Sequence, residues 1–128
     1  MRVSELMLRD VTLVPPEDTV QNAARAIADI DSRVILVGAE DRVVGVLTIR
    51  DILIRLVAAG LDPTATPVSQ VMSSSLFTCT EEEVADSVVE RMAEHRIEQM
   101  PVLDAGGRLV GMITRRAAET FDASSTAQ

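Results

Sequence analysis

The sequence lacks tryptophan, tyrosine and lysine, and all 12 of its basic residues are arginines. With a net charge of −8, nonspecific nucleic-acid binding is not expected, because that activity needs a basic surface to displace counterions from phosphates. A base could stack on an aromatic ring only at Phe77 or Phe121. A small anionic ligand in a local pocket stays open, since the planar guanidinium of arginine pairs phosphate oxygens bidentately.

Cysteine and long apolar runs are also scarce. Cys79 is the only cysteine, so the chain cannot form an internal disulfide, and its apolar neighbours predict a buried structural thiol. No apolar run reaches the roughly 18 residues of a membrane span, and the start MRVSELMLRD lacks the apolar core of a secretion signal. These absences predict a cytoplasmic protein without a membrane partner.

The usual catalytic groupings are missing as well. There is no evident Cys–His pair, Ser–His–Asp set or cluster of metal ligands, and the missing lysines and single histidine remove the commonest general bases. That histidine, His95, falls near the predicted end of a helix, where the helix dipole favours it. The sequence therefore predicts neither an enzyme nor a metal site.

What the chain does contain is an internal repeat. Residues 42–51 read RVVGVLTIRD and residues 108–117 read RLVGMITRRA, with five of the ten positions identical. VSELM at 3–7 likewise matches VSQVM at 68–72. The repeat therefore spans about half of the chain.

Each copy predicts the same order of elements, β-α-β-β-α. A short helical turn and a short extended piece precede an amphipathic helix, which ends near Asp29 in copy one and near His95 in copy two. Thr19 is the predicted N-cap of the first of these helices. Two apolar strands joined by a turn follow, and then a second helix, which in copy one runs over IRDILIRLVAAG and ends at Gly60.

These elements predict the domain organisation. We assign residues 1–60 to the first repeat, 61–67 to a linker, 68–121 to the second repeat and 122–128 to a disordered polar tail. One repeat of about 60 residues buries too little surface to be secure alone. We therefore expect an α/β (α+β) fold in which the two repeats pack through their sheets as one pseudo-twofold module.

The ordered combination of these motifs resembles a tandem cystathionine-β-synthase (CBS) domain pair. The resemblance rests on the V-x-x-[LV]-M openings, the apolar PVLD-type strand and G-[VM]-[LI]-T-x-x-D, and it covers about residues 1–121. The joint between the repeats also resembles that of small stand-alone bacterial CBS-pair proteins. The resemblance implies a non-catalytic regulatory module that binds AMP, ADP, ATP, S-adenosylmethionine or NAD in clefts between its repeats and forms a disc-like homodimer.

The GVLTIRD stretch is the first candidate site. Gly45 lies within a strand, which favours a bulge or a close approach by another backbone or a ligand. Thr48 lies at the strand-to-helix junction, where its hydroxyl and the free N–H groups of the new helix could hold a phosphate or ribose oxygen. Asp51 follows three residues later, and its carboxylate could accept both hydroxyls of a ribose. The same T-x-x-D spacing is also that of a capping box, which alone would explain the pair.

The resemblance implies roles for further residues of the first repeat. It assigns Asp51 to the ribose, Thr48 to the ribose or a phosphate, and Arg33 to the phosphates. A solvated surface position for Arg33 and a core position for Val46 are the alternatives. The residues that would line or border the adenine are Asp31, Ser32, Val46, Thr12 and, more weakly, Met7.

The second copy departs from this pattern. Ala117 stands where the first copy has Asp51 and cannot hold a diol. Glu98 and Gln99 are aligned with the Ser-Arg pair of the first copy, and Glu98 would repel a phosphate. An anion without a ribose contact stays open there, and we expect one competent nucleoside site rather than two. The groups that remain at this second helix start are those of Thr114, Arg115 and Arg116.

Two functions are consistent with this reading. The first is a sensor that binds an adenosine-containing ligand near Asp51 and transmits occupancy to an unknown protein partner. The second is a dimeric interaction platform whose nucleotide site is degenerate, as the change to Ala117 would suggest.

Overall fold

The computed structural model of the chain describes residues 1–115 and divides into two units. We call Thr12–Leu76 the first-sheet unit, and Met1–Val11 together with the described residues after Leu76 the second-sheet unit. Each unit contains one three-stranded sheet with accompanying helices, which confirms the predicted mixed α/β class. The predicted features at Arg116, Ala117, Phe121 and 122–128 lie outside the described residues.

The first-sheet unit begins with a parallel strand pair bridged by a helix. Strand β1 (Leu13–Val14) runs parallel to β2 (Val34–Ala39), and β2 pairs antiparallel with β3 (Arg42–Thr48). Helix α2 (Val20–Asp29) connects β1 to β2 and starts as predicted, because the Thr19 hydroxyl accepts the N–H of Asn22 at 3.2 Å. The helix side chains buried in the core of this unit are Val20, Ala23 and Ile27.

The helix after β3 has two hydrogen-bonding registers. It opens as α3 (Ile49–Asp51) and continues as a π-helical segment (Ile52–Val57), in which the N–H of Ala58 donates to the Leu53 carbonyl at 2.9 Å. The sequence predicts one regular helix here. Apolar periodicity cannot distinguish the two registers, because it does not indicate which carbonyl accepts each N–H. Gly60 follows with a φ of +73°, as expected of a residue that terminates a helix. Helix α4 (Val68–Val71) completes the unit.

The second-sheet unit repeats this arrangement. Strand β4 (Cys79–Thr80) is parallel to β5 (Gln99–Leu103), which pairs antiparallel with β6 (Leu109–Thr114). Helix α5 (Ala85–His95) connects β4 to β5, and helix α1 (Val3–Leu6) joins the same unit from the start of the chain. The buried side chains include Val3, Met7, Cys79, Val88, Met92, Met100, Val102 and Ile113.

The helix that opens each sequence repeat packs with the sheet of the other repeat. In the second-sheet unit, Leu8 and Met112 exchange two backbone hydrogen bonds of 2.8 Å. In the first-sheet unit, Val46 and Ser73 exchange the equivalent bonds at 2.9 and 2.8 Å. The sequence repeats and the units are therefore different divisions of the chain, and each unit is completed by a segment of the other repeat.

The shared glycine of the two repeats has the same structural cause in both units. A Cβ built on Gly45 would lie 2.7 Å from the Met72 sulfur and 2.8 Å from the Ser73 carbonyl oxygen. A Cβ on Gly111 would lie 2.7 Å from both the Leu8 carbonyl oxygen and the Met7 sulfur. Both causes expected for Gly45 are present: another backbone approaches it closely, and the pairing of β2 with β3 shifts register next to it, between Val37 and Gly38.

Candidate functional site

The junction between β3 and α3 is held by a reciprocal pair of hydrogen bonds. The Thr48 hydroxyl accepts the N–H of Asp51, and one carboxylate oxygen of Asp51 (Oδ2) accepts the N–H of Thr48, each at 3.0 Å. This confirms the capping-box interpretation of T-x-x-D. The other oxygen, Oδ1, has no hydrogen-bond partner within residues 1–115. The half-buried carboxylate is thus fixed in orientation and keeps acceptor capacity for a ligand.

The backbone donors at this helix start are mostly occupied. The N–H of Ile49 donates to the Arg33 carbonyl at 2.9 Å, and the N–H of Asp51 donates to Thr48. The Ile52 N–H donates to the Ile49 carbonyl. The remaining first-turn donor is the N–H of Arg50. The start of α3 therefore has fewer N–H groups available to bind an anion than a free helix terminus has.

The loop before β2 places Arg33 beside this junction. Asp31 is exposed and adopts a left-handed φ of 51°, a conformation that aspartate tolerates better than most residues. The half-buried Ser32 hydroxyl accepts the N–H of Val34 at 3.2 Å and donates to its carbonyl at 2.9 Å. Because the Arg33 carbonyl binds Ile49, the exposed Arg33 side chain starts next to the helix that carries Asp51.

The remaining predicted contacts occupy different places. Val46 is half-buried on β3, two residues before Thr48, and Thr12 is exposed just ahead of β1. Met7 is 8% exposed and packs against Gly111 in the core of the second-sheet unit. The first-sheet unit thus contains every predicted site residue except Met7. A ligand role for these residues stays a prediction.

Two residues at the same junction were not predicted from the sequence. Arg55 lies on the π-helical segment, and its Nη1 donates to the carbonyls of Val71 and Met72 at 3.3 and 2.9 Å. Ser73, which follows, pairs with Val46. A single sequence carries no signal that residues of the second repeat lie against β3 of the first. Arg55 could have been flagged only by its spacing of four residues from Asp51.

The second-sheet unit has the opposite charge at the position of Arg33. The N–H of Arg115 donates to the Glu98 carbonyl at 2.8 Å, as that of Ile49 does to Arg33. The predicted alignment of Glu98 and Gln99 with the Ser-Arg pair is therefore wrong by one residue. Val34 pairs with Thr48 and Gln99 pairs with Thr114, so Glu98 is the residue equivalent to Arg33. The carboxylate of Glu98 also faces the Arg115 guanidinium, with an Nη1–Oε1 distance of 3.9 Å.

Two other side chains with potentially reactive groups, His95 and Cys79, pack against neighbouring residues of the fold. His95 stacks on Phe77 with ring centroids 4.5 Å apart. Burial, and secondarily the negative charge of Glu83, raises the pKa of the Cys79 thiol to about 11, so the thiol is neutral and poorly nucleophilic. Within residues 1–115 no three metal-ligating side chains are grouped, and no helix is long and apolar enough to cross a membrane.

The family model that matches the chain is that of the CBS domain, at residues 3–58 and 68–118. The CBS domain-containing protein YhcV of Bacillus subtilis is 34% identical over 111 residues, which cover 87% of this chain and 78% of YhcV. Hypoxic response protein 1 of Mycobacterium tuberculosis is 32% identical, with 86% of this chain and 77% of that protein covered. The matched region is a smaller part of other relatives: 58% of the Methanopyrus kandleri protein MK0525 and 22% of the inosine-5'-monophosphate dehydrogenase of Methanocaldococcus jannaschii.

Solved structures show the same fold. The crystal structure of Hypoxic Response Protein I with two coordinated zinc ions has a TM-score of 0.82 at 28% identity and covers 94% of this chain and 98% of that one. The crystal structure of CBSX2 in complex with AMP has a TM-score of 0.82 at 19% identity, with 98% of each chain covered. The crystal structure of the CBS-pair protein CBSX2 from Arabidopsis thaliana has a TM-score of 0.84 at 18% identity, with 99% of this chain and 97% of that one covered.

Proposed function

Because this chain belongs to the CBS-domain family, as a tandem pair of CBS domains, we propose that it is a non-catalytic regulatory module that binds an adenosine-containing ligand at the β3–α3 junction. The observation that carries the proposal is the Asp51 carboxylate, which its own capping box fixes while one oxygen keeps no partner among the described residues. Two hydroxyls of a ribose are the matching donors, since an ionised carboxylate only accepts hydrogen bonds.

The phosphate end of the ligand would depend on arginine side chains. Helix α3 offers little beyond the Arg50 N–H, so the exposed guanidinium groups of Arg33 and Arg50 are the cations that could pair with phosphate oxygens. Val46, Ser32, Asp31 and Thr12 would border the base. AMP is the first ligand to test, because CBSX2 was crystallised with it.

The second-sheet unit is the poorer nucleotide site in this proposal. Glu98 is the residue equivalent to Arg33, so a phosphate there would meet a carboxylate instead of a guanidinium. The Arg115 guanidinium, which could otherwise pair with the phosphate, faces this carboxylate at 3.9 Å. Ala117, at the place of Asp51, has no group that accepts a hydroxyl. We therefore expect one adenosine ligand per chain, bound without metal.

Thermal unfolding with a ligand panel tests the proposal. Melting is followed by circular dichroism, because the chain has no tryptophan or tyrosine, with AMP, ADP, ATP, S-adenosylmethionine and NAD added in turn. At a concentration of about 100 Kd a ligand should stabilise the folded state by about 2.7 kcal/mol. The matched controls are inosine monophosphate and ribose-5-phosphate. A melting temperature that no adenosine ligand raises would contradict the proposal.

A second function, an interaction platform, is favoured by a different observation. The helix after β3 exposes an apolar surface whose members are 42% to 62% exposed: Ile49, Leu53, Ile54 and Val57. These residues recur at helical spacing, so they form one side of the helix, whereas Leu56 is 3% exposed and faces the core. We propose that a second copy of the chain covers this surface and that the resulting homodimer acts in the cytoplasm, where its free thiol stays reduced.

Sedimentation velocity tests the homodimer. The wild type should sediment as a dimer, and Leu53→Glu should sediment as a monomer, because it places a carboxylate in the centre of the apolar surface. Val44→Glu is the matched control, since Val44 is 43% exposed on β3 and lies outside that surface. A monomeric wild type would refute the homodimer and leave the nucleotide proposal standing.

A further inference from the structure

Arg55 connects two elements of the first-sheet unit that are distant in sequence. Its Nη1 donates to the carbonyls of Val71 and Met72 at 3.3 and 2.9 Å. These carbonyls end α4, where the unsatisfied acceptors of a helix favour a cation. Arg55 itself lies one turn after Asp51 on the helix that follows β3. One guanidinium thus ties the Asp51 helix to the end of another helix.

The segment that Arg55 binds is the one that packs on β3. Ser73 and Val46 exchange backbone hydrogen bonds of 2.8 and 2.9 Å. Gly45 has no room for a side chain, because the Met72 sulfur and the Ser73 carbonyl oxygen would lie within 2.8 Å of its Cβ. The backbone of Met72 and Ser73 therefore lies directly against the strand that leads into Thr48.

We propose that Arg55 is a positioning residue that makes the Asp51 helix and the Met72–Ser73 segment respond to a ligand together. The inference rests on the proposed function, since it takes the ligand to bind at Asp51. A ligand that restricts Asp51 also restricts the helix that carries Arg55, and the guanidinium transfers this restriction to the two carbonyls. The chain continues from Ser73 to Phe77, so this segment is one of the two places where the chain passes between the units, the other being Val11–Thr12.

Amide hydrogen exchange of the full chain, measured by NMR with and without AMP, tests the inference. In the free protein Arg55→Met should raise the exchange rates of the Val46 and Ser73 amides by roughly tenfold or more, since it removes two charge-assisted hydrogen bonds. Arg55→Lys, which keeps a cationic donor, should restore most of the protection. Arg25→Met, at an exposed arginine on α2, is the matched control and should change neither rate.

The ligand arm separates positioning from plain stabilisation. AMP should slow exchange at Val46 and Ser73 in the wild type and in Arg55→Lys, and it should bind Arg55→Met without slowing exchange at Ser73. Unchanged Val46 and Ser73 rates in free Arg55→Met, or an equal rise at every amide of the unit, would overturn the inference. If no adenosine ligand binds the wild type, the coupling is overturned together with the proposed function. Binding of AMP without added protection in the wild type overturns the coupling alone.

Discussion

Asp51→Asn separates the structural role of the Asp51 carboxylate from its proposed role as a ligand acceptor. The amide oxygen of asparagine can still accept the Thr48 N–H, and the Thr48 hydroxyl still accepts the backbone N–H of residue 51. The substitution removes a negative charge from the first turn of a helix, which is worth about 0.3–1 kcal/mol. The free energy of unfolding should therefore fall by less than about 1 kcal/mol.

The effect of the same change on ligand binding should be much larger. Hydrogen bonds to a charged group contribute about 1.5–3 kcal/mol each, against about 0.5–1.5 kcal/mol for neutral ones. Because the asparagine oxygen faces the Thr48 N–H, the group that faces the ribose is an NH2 donor, and the charge-assisted hydrogen bond to Oδ1 is lost. That loss of about 1.5–3 kcal/mol raises the Kd roughly 10- to 150-fold. Asp51→Ala should abolish the contact and also cost about 1 kcal/mol of stability through the lost cap.

Isothermal titration calorimetry with AMP, beside urea unfolding of each variant, checks both numbers. Thr48→Val is the control for the cap: it removes the hydroxyl acceptor, so it should destabilise by about 1 kcal/mol while the carboxylate remains. The reasoning is refuted if Asp51→Asn binds AMP with the wild-type Kd. It is also refuted if Asp51→Asn unfolds so readily that the two roles cannot be separated.

Three further predictions follow from other contacts. Gly45→Ala and Gly111→Ala should each lower the free energy of unfolding by about 1–3 kcal/mol through overpacking. Gly106→Ala is the control, because its Cβ would meet only an ordinary 3.4 Å contact, and it should change urea unfolding little. Equal effects of all three substitutions would contradict this prediction. Burial raises the pKa of Cys79 from 9.0 to about 11, so as the pH rises the thiol ionises in the unfolded chain before it does in the folded one. The free energy of unfolding should therefore fall as the pH rises from 9.0 to about 11. Unchanged urea midpoints over this range would count against the prediction. Arg33→Met should raise the Kd for AMP roughly tenfold or more and leave that for adenosine unaltered, and a parallel loss for both in calorimetry would assign Arg33 another role.

Local patterns in the sequence were sufficient for the element order. Apolar periodicity and the Thr19 and Thr48 caps depend on residues within one or two turns of each other, so they can be read from one chain. The β-α-β-β order of both copies is confirmed, and the helix that closes the first copy follows β3 as predicted. In the second copy, that helix lies outside the described residues after Arg115.

Long-range and register-dependent features could not be predicted in the same way. That α1 packs with β6 and α4 with β3 depends on contacts between segments far apart in sequence, for which apolar pattern gives no pairing. The π register after Asp51 depends on the choice between neighbouring carbonyls. The equivalence of Arg33 and Glu98 depends on strand register, where a shift by one residue is invisible in apolar-rich sequence.

The candidate site shows the same division. The residue types at Thr48 and Asp51 predicted a junction with hydroxyl and carboxylate groups, and the structure shows both, joined as a capping box. That the N–H groups at the helix start are already hydrogen-bonded was not predictable. The acceptor for the Ile49 N–H is the carbonyl of Arg33, which directly precedes β2 and is distant in sequence. Because of this tertiary bond, the proposed anion site would rely on arginine side chains rather than on the helix-start N–H groups.

The central claim, one adenosine site at the β3–α3 junction, is tested most directly by titrating the isotope-labelled chain with AMP and following backbone amide signals. The account predicts saturable shifts of the Thr48, Arg50 and Asp51 amides with one ligand per chain. Shifts confined to Leu109–Arg115, or no shift of any amide at millimolar AMP, would contradict it.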